Sequence, residues 1–418
     1  MTAVTSVWRN AQFRRVWGAG AISTLGGEIG ELAIPVLALM TLAASASELS
    51  FVRAALLVPF LLLTLWAGVV VDRSRRRPLM IAADLARGVL LALVCWFAVA
   101  GWLTIPMLIV AALLLGSFTV VYAMADFAFL PLIVEEQNLL DANARITATQ
   151  SAIGIAGAGA GGALVQLITA PLALGLNALS YFVSGSLITA VRAEETARGR
   201  TEHASAFREA RAGIDLLIRH PVLRGLVAEA GVWNFGNEIF TIALTILVLQ
   251  DYQLGPLILG IVLMSGGLGA VLGSMSSRRL TERFGYGRAL IGSLLLGNTA
   301  PLIGIAFAGA ASATAVIALT LAFLMSGVGI GVANSQAVSI RQLAVPAEVR
   351  GRVNAGYRLA SWGFLALGAL AGGVLVSVTG SWPAAIIGAV IMALASIPVA
   401  ASPARKVVAL DDLAHAAP

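Results

Sequence analysis

Twelve apolar stretches, each long enough to cross a bilayer, occupy most of this 418-residue chain. A helix needs about 20 apolar residues to cross a hydrocarbon core of about 30 Å. Membrane β-barrels are built from alternating segments of about 10 residues, and this pattern is absent. The sequence therefore predicts an all-α membrane protein. The predicted spans are residues 16–43, 51–71, 79–100, 103–125, 146–168, 171–191, 224–249, 256–276, 288–310, 313–339, 354–378 and 382–401.

The basic residues predict how the spans are oriented. Arginines cluster before span 1, between spans 2 and 3, in the central connection, and between spans 8 and 9 and spans 10 and 11, whereas the opposite connections carry almost no charge. The positive-inside rule then places both termini in the cytoplasm of a bacterium, with the chain in its inner membrane. The net charge of +6 reflects this topology and contact with anionic lipids, and no nucleic-acid partner is expected.

The longest polar connection divides the spans into two groups of six. The predicted parts are residues 1–191, a central loop at 192–223, and residues 224–418. The first part of the loop, EETARGRTEHAS, is expected to be mobile. Its second part predicts an amphipathic helix at the inner membrane interface, with a solvated linker helix as the alternative. The protein is predicted to act as a monomer.

An internal repeat links the two groups of spans. Span 1 contains the segment Gly-Gly-Glu-Ile at residues 26–29, and span 7 contains Gly-Asn-Glu-Ile at residues 236–239. Both acids lie near the middle of their spans. Two six-helix halves in parallel repeat are the layout of one large class of secondary transporters.

Two loops carry a family resemblance. The segment GVVVDRSRRR at residues 68–77 resembles the loop 2–3 signature of the major facilitator superfamily, G-x-x-x-D-R-x-G-R-R, with Arg75 in place of the second glycine. The segment VPAEVRGRV at residues 345–353 resembles the loop before helix 11 in bacterial exporters of siderophores, macrolides and other drugs. The resemblance extends over nearly the whole chain. It implies twelve helices in two six-helix bundles and the export of a small organic compound.

Three acids within the spans, Glu28, Glu31 and Glu238, are candidates for proton coupling. A charge in mid-membrane costs at least about 2.5 kcal/mol, so such a group faces a cavity or a partner. Glu28 and Glu31 share a helix face, and two adjacent carboxylates favour proton binding. No arginine or lysine in mid-span is expected as a counter-ion. Glu238 is predicted to bind a cationic substrate or a second proton. The alternative for all three is a protonated, hydrogen-bonded structural Glu.

The resemblance also implies an inner gate. Its residues would be Asp72, Arg73, Arg76 and Asp126, because the matching acids and arginine form an inner-face charge cluster in major facilitator proteins. The alternative is that the arginines of this loop only anchor it to lipid phosphates. Asp84 and Arg87, three residues apart in span 3, are predicted to form a local ion pair.

Glycines in spans 5 and 8 indicate close helix packing. The run GAGAGG at residues 157–162 matches a dinucleotide-binding pattern, but it follows no strand and no acid lies about 20 residues later. Small residues instead allow membrane helices to approach one another. Aromatic and amide side chains in the spans are predicted to line a substrate cavity, with ordinary packing as the alternative: Tyr122, Asn177, Trp233, Asn234, Asn237, Asn334 and Trp362.

These observations favour a proton-driven exporter of a drug, an antibiotic or a siderophore. No nucleophile–base pair or metal constellation is evident, so no enzyme activity, metal or cofactor is predicted. Two alternatives remain open from the sequence. One is a lysophospholipid flippase on the same fold, and the other is a membrane receptor or scaffold that transports nothing.

Overall fold

The computed structural model describes residues 7–193, 195, 206–309, 312–345 and 349–407, and these residues contain helices and no strand. The all-α prediction is therefore confirmed. The helices are α1 (Ala11–Val36), α2 (Ala46–Leu62), α3 (Thr64–Arg73), α4 (Arg76–Val99), α5 (Ile105–Ile133), α6 (Leu139–Ile168), α7 (Ala170–Thr189), α8 (Ala206–Arg219), α9 (Pro221–Ile246), α10 (Gly255–Phe284), α11 (Tyr286–Ala306), α12 (Ala313–Leu343), α13 (Arg350–Thr379), α14 (Ser381–Leu394) and α15 (Ser396–Ala401).

Eleven helical segments of the described residues are long and apolar enough to cross a membrane. The predicted second span is the exception, because it is divided into α2 and α3 at Leu63. Pro59 lies inside α2 and cannot donate a backbone hydrogen bond. The Thr64 hydroxyl donates to the carbonyl of Phe60, a contact of the kind that bends helices. These features account for the break.

The sequence repeat extends to details of the backbone. Both α1 and α9 continue into a wider π-helical turn, at Leu37–Thr41 and Leu247–Asp251 respectively. Each turn is followed by a non-glycine residue with positive φ, Ala43 at 51° and Gln253 at 54°. The Gly-x-Glu-Ile segments precede these turns by the same number of residues. The two acids therefore occupy equivalent positions in two copies of one structural unit.

The chain forms two compact units whose boundaries differ from the predicted ones. The first unit comprises Met1–Ala43 and Ala55–Ala206, and the second comprises Ala44–Ala54 and Phe207–Pro418. The beginning of α2 therefore belongs with the second unit. The longest polar loop does not mark this boundary, because the division between residues 54 and 55 lies within helix α2.

The helix predicted in the central connection is present as α8, and it packs on the second unit. Leu217 is buried in an apolar cluster with Leu223 and Val353. A Cβ added at Gly356 of α13 would lie 2.9 Å from the backbone of Gly213, so the two helices are in close contact at these glycines. Packing on α13, rather than lipid or solvent alone, therefore positions this helix.

Helices α10 and α12 approach each other through glycines, as the small face of span 8 predicts. A Cβ at Gly269 would lie 2.1 Å from the carbonyl oxygen of Leu324, and one at Gly327 would lie 2.0 Å from the carbonyl oxygen of Gly266. Both distances are far below van der Waals contact and involve backbone atoms. Neither position therefore has room for a larger residue without separation of the helices.

We expect Gly327→Ala to lower the melting temperature of the purified protein, by an overpacking effect of roughly 1–3 kcal/mol. Gly292→Ala in α11 is the matched control, because nothing lies within 4 Å of a Cβ at Gly292. The control should be neutral or slightly stabilising, since alanine has a higher helix propensity than glycine. Thermal unfolding in detergent measures both. Equal melting temperatures would show that the close approach of α10 and α12 contributes nothing to stability.

Candidate functional site

Glu28 lies against the glycine face of α6. A Cβ at Gly157 would lie only 2.5 Å from the Cβ of Glu28, and one at Gly161 would lie 3.3 Å from the Cα of Ile29. The Glu28 carboxylate reaches toward Gly154, where a Cβ would be 3.9 Å from its Oε1. The glycine run of span 5 therefore makes room for the acid-bearing part of α1, and the predicted packing role is confirmed.

Glu31 follows Glu28 by about one helical turn. It is exposed, whereas Glu28 is half-buried. The two carboxylates are close enough to interact electrostatically, as their i, i+3 spacing predicts. Among the ion pairs of the described residues, none includes Glu28.

Asn177 packs helices of the first unit together. Its side chain is buried between two glycines of α1, Gly26 and Gly30. A Cβ at Gly26 would lie 2.5 Å from its Oδ1, and one at Gly30 would lie 2.4 Å from its Nδ2. This geometry favours the packing alternative over the predicted substrate contact.

The ion pair between Asp84 and Arg87 is present, and it is the centre of a buried cluster in the first unit. The Ser184 hydroxyl donates to the second oxygen of Asp84 at 2.7 Å. The Arg87 guanidinium lies over the rings of Tyr122 and Tyr181, at 4.3 and 4.2 Å from their centroids. Tyr122, predicted to contact substrate, is thus buried against a cation of the chain itself, an arrangement favourable in a desolvated site.

The predicted inner-gate residues do not form one contact cluster. Asp126 lies within electrostatic range of Asp84 and Arg87. Arg73 is exposed and Arg76 is buried, and none of the ion pairs of the described residues joins Arg76 to Asp126. The side chain of Asp72 and residues 346–348 of the second family motif lie outside the described part of the structure.

Glu195 instead organises the loop that contains Arg76. The backbone N–H groups of Arg76 and Arg77 both donate to its carboxylate, the latter at 2.9 Å. The Arg77 side chain donates to the carbonyls of Ile188 and Thr189 at the end of α7. A carboxylate at this position satisfies free N–H groups at the start of α4 and complements its dipole. Glu195, within the segment EETARGRTEHAS, thus accepts two backbone hydrogen bonds, while residues 194 and 196–205 lie outside the described residues.

We expect Glu195→Ala to increase hydrogen exchange at the backbone amides of Arg76 and Arg77. Loss of a helix cap costs about 0.5–2 kcal/mol, which corresponds to a measurable rise in local opening. Glu136→Ala is the control, since Glu136 is exposed at the start of another helical segment of the same unit. Exchange measured by mass spectrometry tests this. Unchanged protection of both amides from exchange would show that water satisfies these N–H groups as well as Glu195 does.

Glu238 has a counter-ion, contrary to the sequence prediction. Arg53 donates from Nε and Nη2 to the two carboxylate oxygens of Glu238, at 3.0 and 3.1 Å. The side chains are 16% and 4% exposed, respectively. The sequence shows Arg53 only as a charge near the outer end of span 2, and the placement of Ala44–Ala54 in the second unit brings it to α9. Neutralisation by Arg53 argues against a cation-binding role for Glu238.

A cavity of about 250 Å³ lies within the second unit, between α9, α11, α12 and α13. Four of the predicted substrate residues line it: Trp233, Asn234, Asn334 and Trp362. Asn237, which was predicted with them, is not among its lining residues.

Two further polar residues of this cavity, Glu229 and Asn298, were not predicted. The Asn298 Nδ2 donates to Glu229 Oε1 at 3.2 Å and to Ser396 Oγ at 3.0 Å. Both residues lie inside predicted apolar spans. Glu229 could have been recognised from the sequence as an acid within a membrane span. Glu229 was nevertheless not among the three acids predicted to have a role in proton coupling. Among the described residues, no three His, Cys, Asp or Glu side chains lie together in a way that could hold a metal ion.

Comparisons with known proteins agree with the fold. The sequence model of a family described as transmembrane secretion effectors matches residues 2–417. The MFS-type transporter YfiS of Bacillus subtilis, itself uncharacterised, is 25% identical over 363 residues, which cover 85% of this chain and 84% of YfiS. A bacterial homologue of the iron transporter ferroportin, in its inward-facing state, superposes with a TM-score of 0.75 at 13% identity, covering 95% of this chain and 99% of that one. A variant of the nucleoside transporter NupG gives a TM-score of 0.76 at 10% identity, covering 93% and 99%.

Proposed function

The chain belongs to the transmembrane secretion effector family of the major facilitator superfamily, and we propose that this transporter exports a small organic compound in exchange for protons. The observation that carries the proposal is the position of Glu28. This acid lies roughly 26 Å from the start of a helical span roughly 46 Å long, which is near the middle of the membrane. Proton binding would remove a charge that is unfavourable at this depth.

The surroundings of Glu28 support a carrier of protons more than a fixed structural charge. Glu238, at the equivalent position of the repeat, is held by two hydrogen bonds from Arg53. Glu28 forms no ion pair among the described residues, and it packs against glycines that offer no side-chain donor. Glu31 provides a second, exposed carboxylate on the same face through which a proton would enter or leave.

The direction of transport and the orientation in the membrane are part of the same proposal. The arginine-rich side, including both termini, would face the bacterial cytoplasm. Asp72 and Arg73 would then lie at the cytoplasmic end of the helices and take part in gating.

Substrate-driven proton movement tests this proposal directly. The purified protein is reconstituted in liposomes that contain a pH-sensitive dye, and a panel of cationic, neutral and anionic organic compounds is added in turn. We expect at least one compound to be transported and to move protons in the opposite direction. Transport of a compound that is unaffected by the pH gradient, with no proton movement, would overturn the coupling. Movement of lysophospholipids alone would favour the flippase.

A further inference from the structure

The cavity of the second unit contains an acid that the chain leaves without a cation. Helix α9 carries two acids, and Arg53 neutralises Glu238. Glu229, about two and a half turns earlier, forms no ion pair among the described residues, and its recorded hydrogen bond comes from the neutral amide of Asn298. Arg341 is close to this region, but its guanidinium lies over the ring of Tyr357 at 3.8 Å. Glu229 is therefore the one charged side chain among the described residues that line the cavity.

Aromatic side chains line the same cavity as Glu229. Trp233, Tyr357 and Trp362 line the same cavity. Aromatic faces attract cations, and the attraction is strongest where the cation is desolvated. Asn334 and Trp362 are exposed, so the cavity is open on their side. The rings of Tyr357 and Trp362 are already covered by the guanidinium groups of Arg341 and Arg358, at 3.8 and 4.7 Å from the ring centroids. Trp233 and the Glu229 carboxylate are therefore the part of this cavity that is suited to an organic cation.

Two buried polar atoms of the lining residues indicate what else the occupant must carry. Asn298 is only 1% exposed, and its Oδ1 accepts no hydrogen bond from the described residues. The indole Nε1 of Trp233 is also buried and has no acceptor among the described residues. Unpaired buried groups of this kind are rare and unfavourable. An occupant with N–H donors for Glu229 and Asn298, and with one acceptor oxygen for Trp233, would satisfy all three.

We propose that this cavity binds a compact primary or secondary ammonium compound that also carries a hydroxyl or ether oxygen. A quaternary ammonium would leave Asn298 Oδ1 unpaired, because it has no N–H. The volume of about 250 Å³ is at the lower limit of ligand pockets, so the compound is small. The proposal rests on the proposed transport function, in that the bound compound would be a substrate.

Calorimetric titration of the purified full-length protein tests the proposal. The probes are phenylethanolamine, which has both groups, phenethylamine, which lacks the oxygen, and phenylethanediol, which is neutral. We expect binding in the order phenylethanolamine, phenethylamine, phenylethanediol. Glu229→Gln should weaken phenylethanolamine binding by roughly ten-fold or more, since a hydrogen bond to a charged group is lost. Trp233→Phe should weaken phenylethanolamine by roughly three- to ten-fold and phenethylamine by less, because both probes lose the indole face but only phenylethanolamine also loses the indole N–H.

Glu282→Gln is the control, because it removes an exposed acid of the same unit that pairs with Arg278 outside the cavity. Its affinity for phenylethanolamine should equal that of the wild type. Equal affinity of wild type for phenylethanolamine and phenylethanediol would overturn the proposal, as would unchanged ammonium binding in Glu229→Gln. The probe order in the wild type decides the matter even if Glu229→Gln fails to fold. Binding requires no proton gradient, so failure of proton coupling and failure of this site are separate results.

Discussion

Replacing Glu28 by Gln is expected to abolish transport driven by a pH gradient while the protein still folds and still binds its substrate. Glutamine keeps the size of the side chain, so the fit against Gly157 of α6 is retained. It cannot bind and release a proton near neutral pH. If the carboxylate carries the coupled proton, substrate exchange without a gradient continues and the response to the gradient disappears.

The measurement uses proteoliposomes and a compound that the wild type transports. Gradient-driven uptake and exchange at equal pH are recorded for wild type, Glu28→Gln and Glu31→Gln. We expect a partial loss for Glu31→Gln, because an exposed carboxylate can be replaced by water in proton transfer. Glu136→Gln, an exposed acid at the start of a helical segment, is the control and should transport normally. Gradient-driven uptake that persists in Glu28→Gln and in the double variant would end the proton-carrier assignment of these acids.

The helices and their small faces could be predicted from the sequence because they follow from local pattern. The length of the apolar stretches predicts the spans. The glycine runs of α6 and α10 predict close packing, and in the structure α6 contacts Glu28 and α10 contacts α12. The repeat was visible at four residues, and the structure extends it to the π-helical turns and positive φ angles after α1 and α9. Local sequence determines these features, so a single chain is sufficient to infer them.

Contacts between distant residues could not be inferred in the same way. Glu195 caps α4 from the end of the first unit, and no local signal distinguishes it from its acidic neighbour in the sequence. The order of the spans along the sequence does not indicate that Ala44–Ala54 belongs with the second unit. For the same reason, the cavity was predicted only in part. Trp233 and Trp362 were identified by residue type, whereas Glu229 was missed although it also lies inside a predicted span.

The pair between Arg53 and Glu238 gives the largest expected effect on stability. Arg53→Met removes the cation that neutralises the buried Glu238 carboxylate, and Glu238→Leu removes the carboxylate that accepts two hydrogen bonds from Arg53. Breaking a buried pair in this way costs roughly 3–5 kcal/mol. We therefore expect a marked fall in melting temperature for either variant. The double variant should recover much of the loss, since two apolar side chains of similar volume can replace a buried ion pair at little cost.

An exposed ion pair shows whether burial, rather than charge alone, causes the expected fall in melting temperature. Arg278 and Glu282 are 2.7 Å apart, with side chains 88% and 61% exposed. Removing either should change the melting temperature little, because exposed ion pairs contribute little to stability. Coupling in the buried pair and its absence in the exposed pair would establish Glu238 as a structural partner of Arg53. If Glu238→Leu instead retains full stability and selectively loses binding of organic cations, Glu238 binds substrate as its position in the repeat suggests, and Arg53 leaves it during transport.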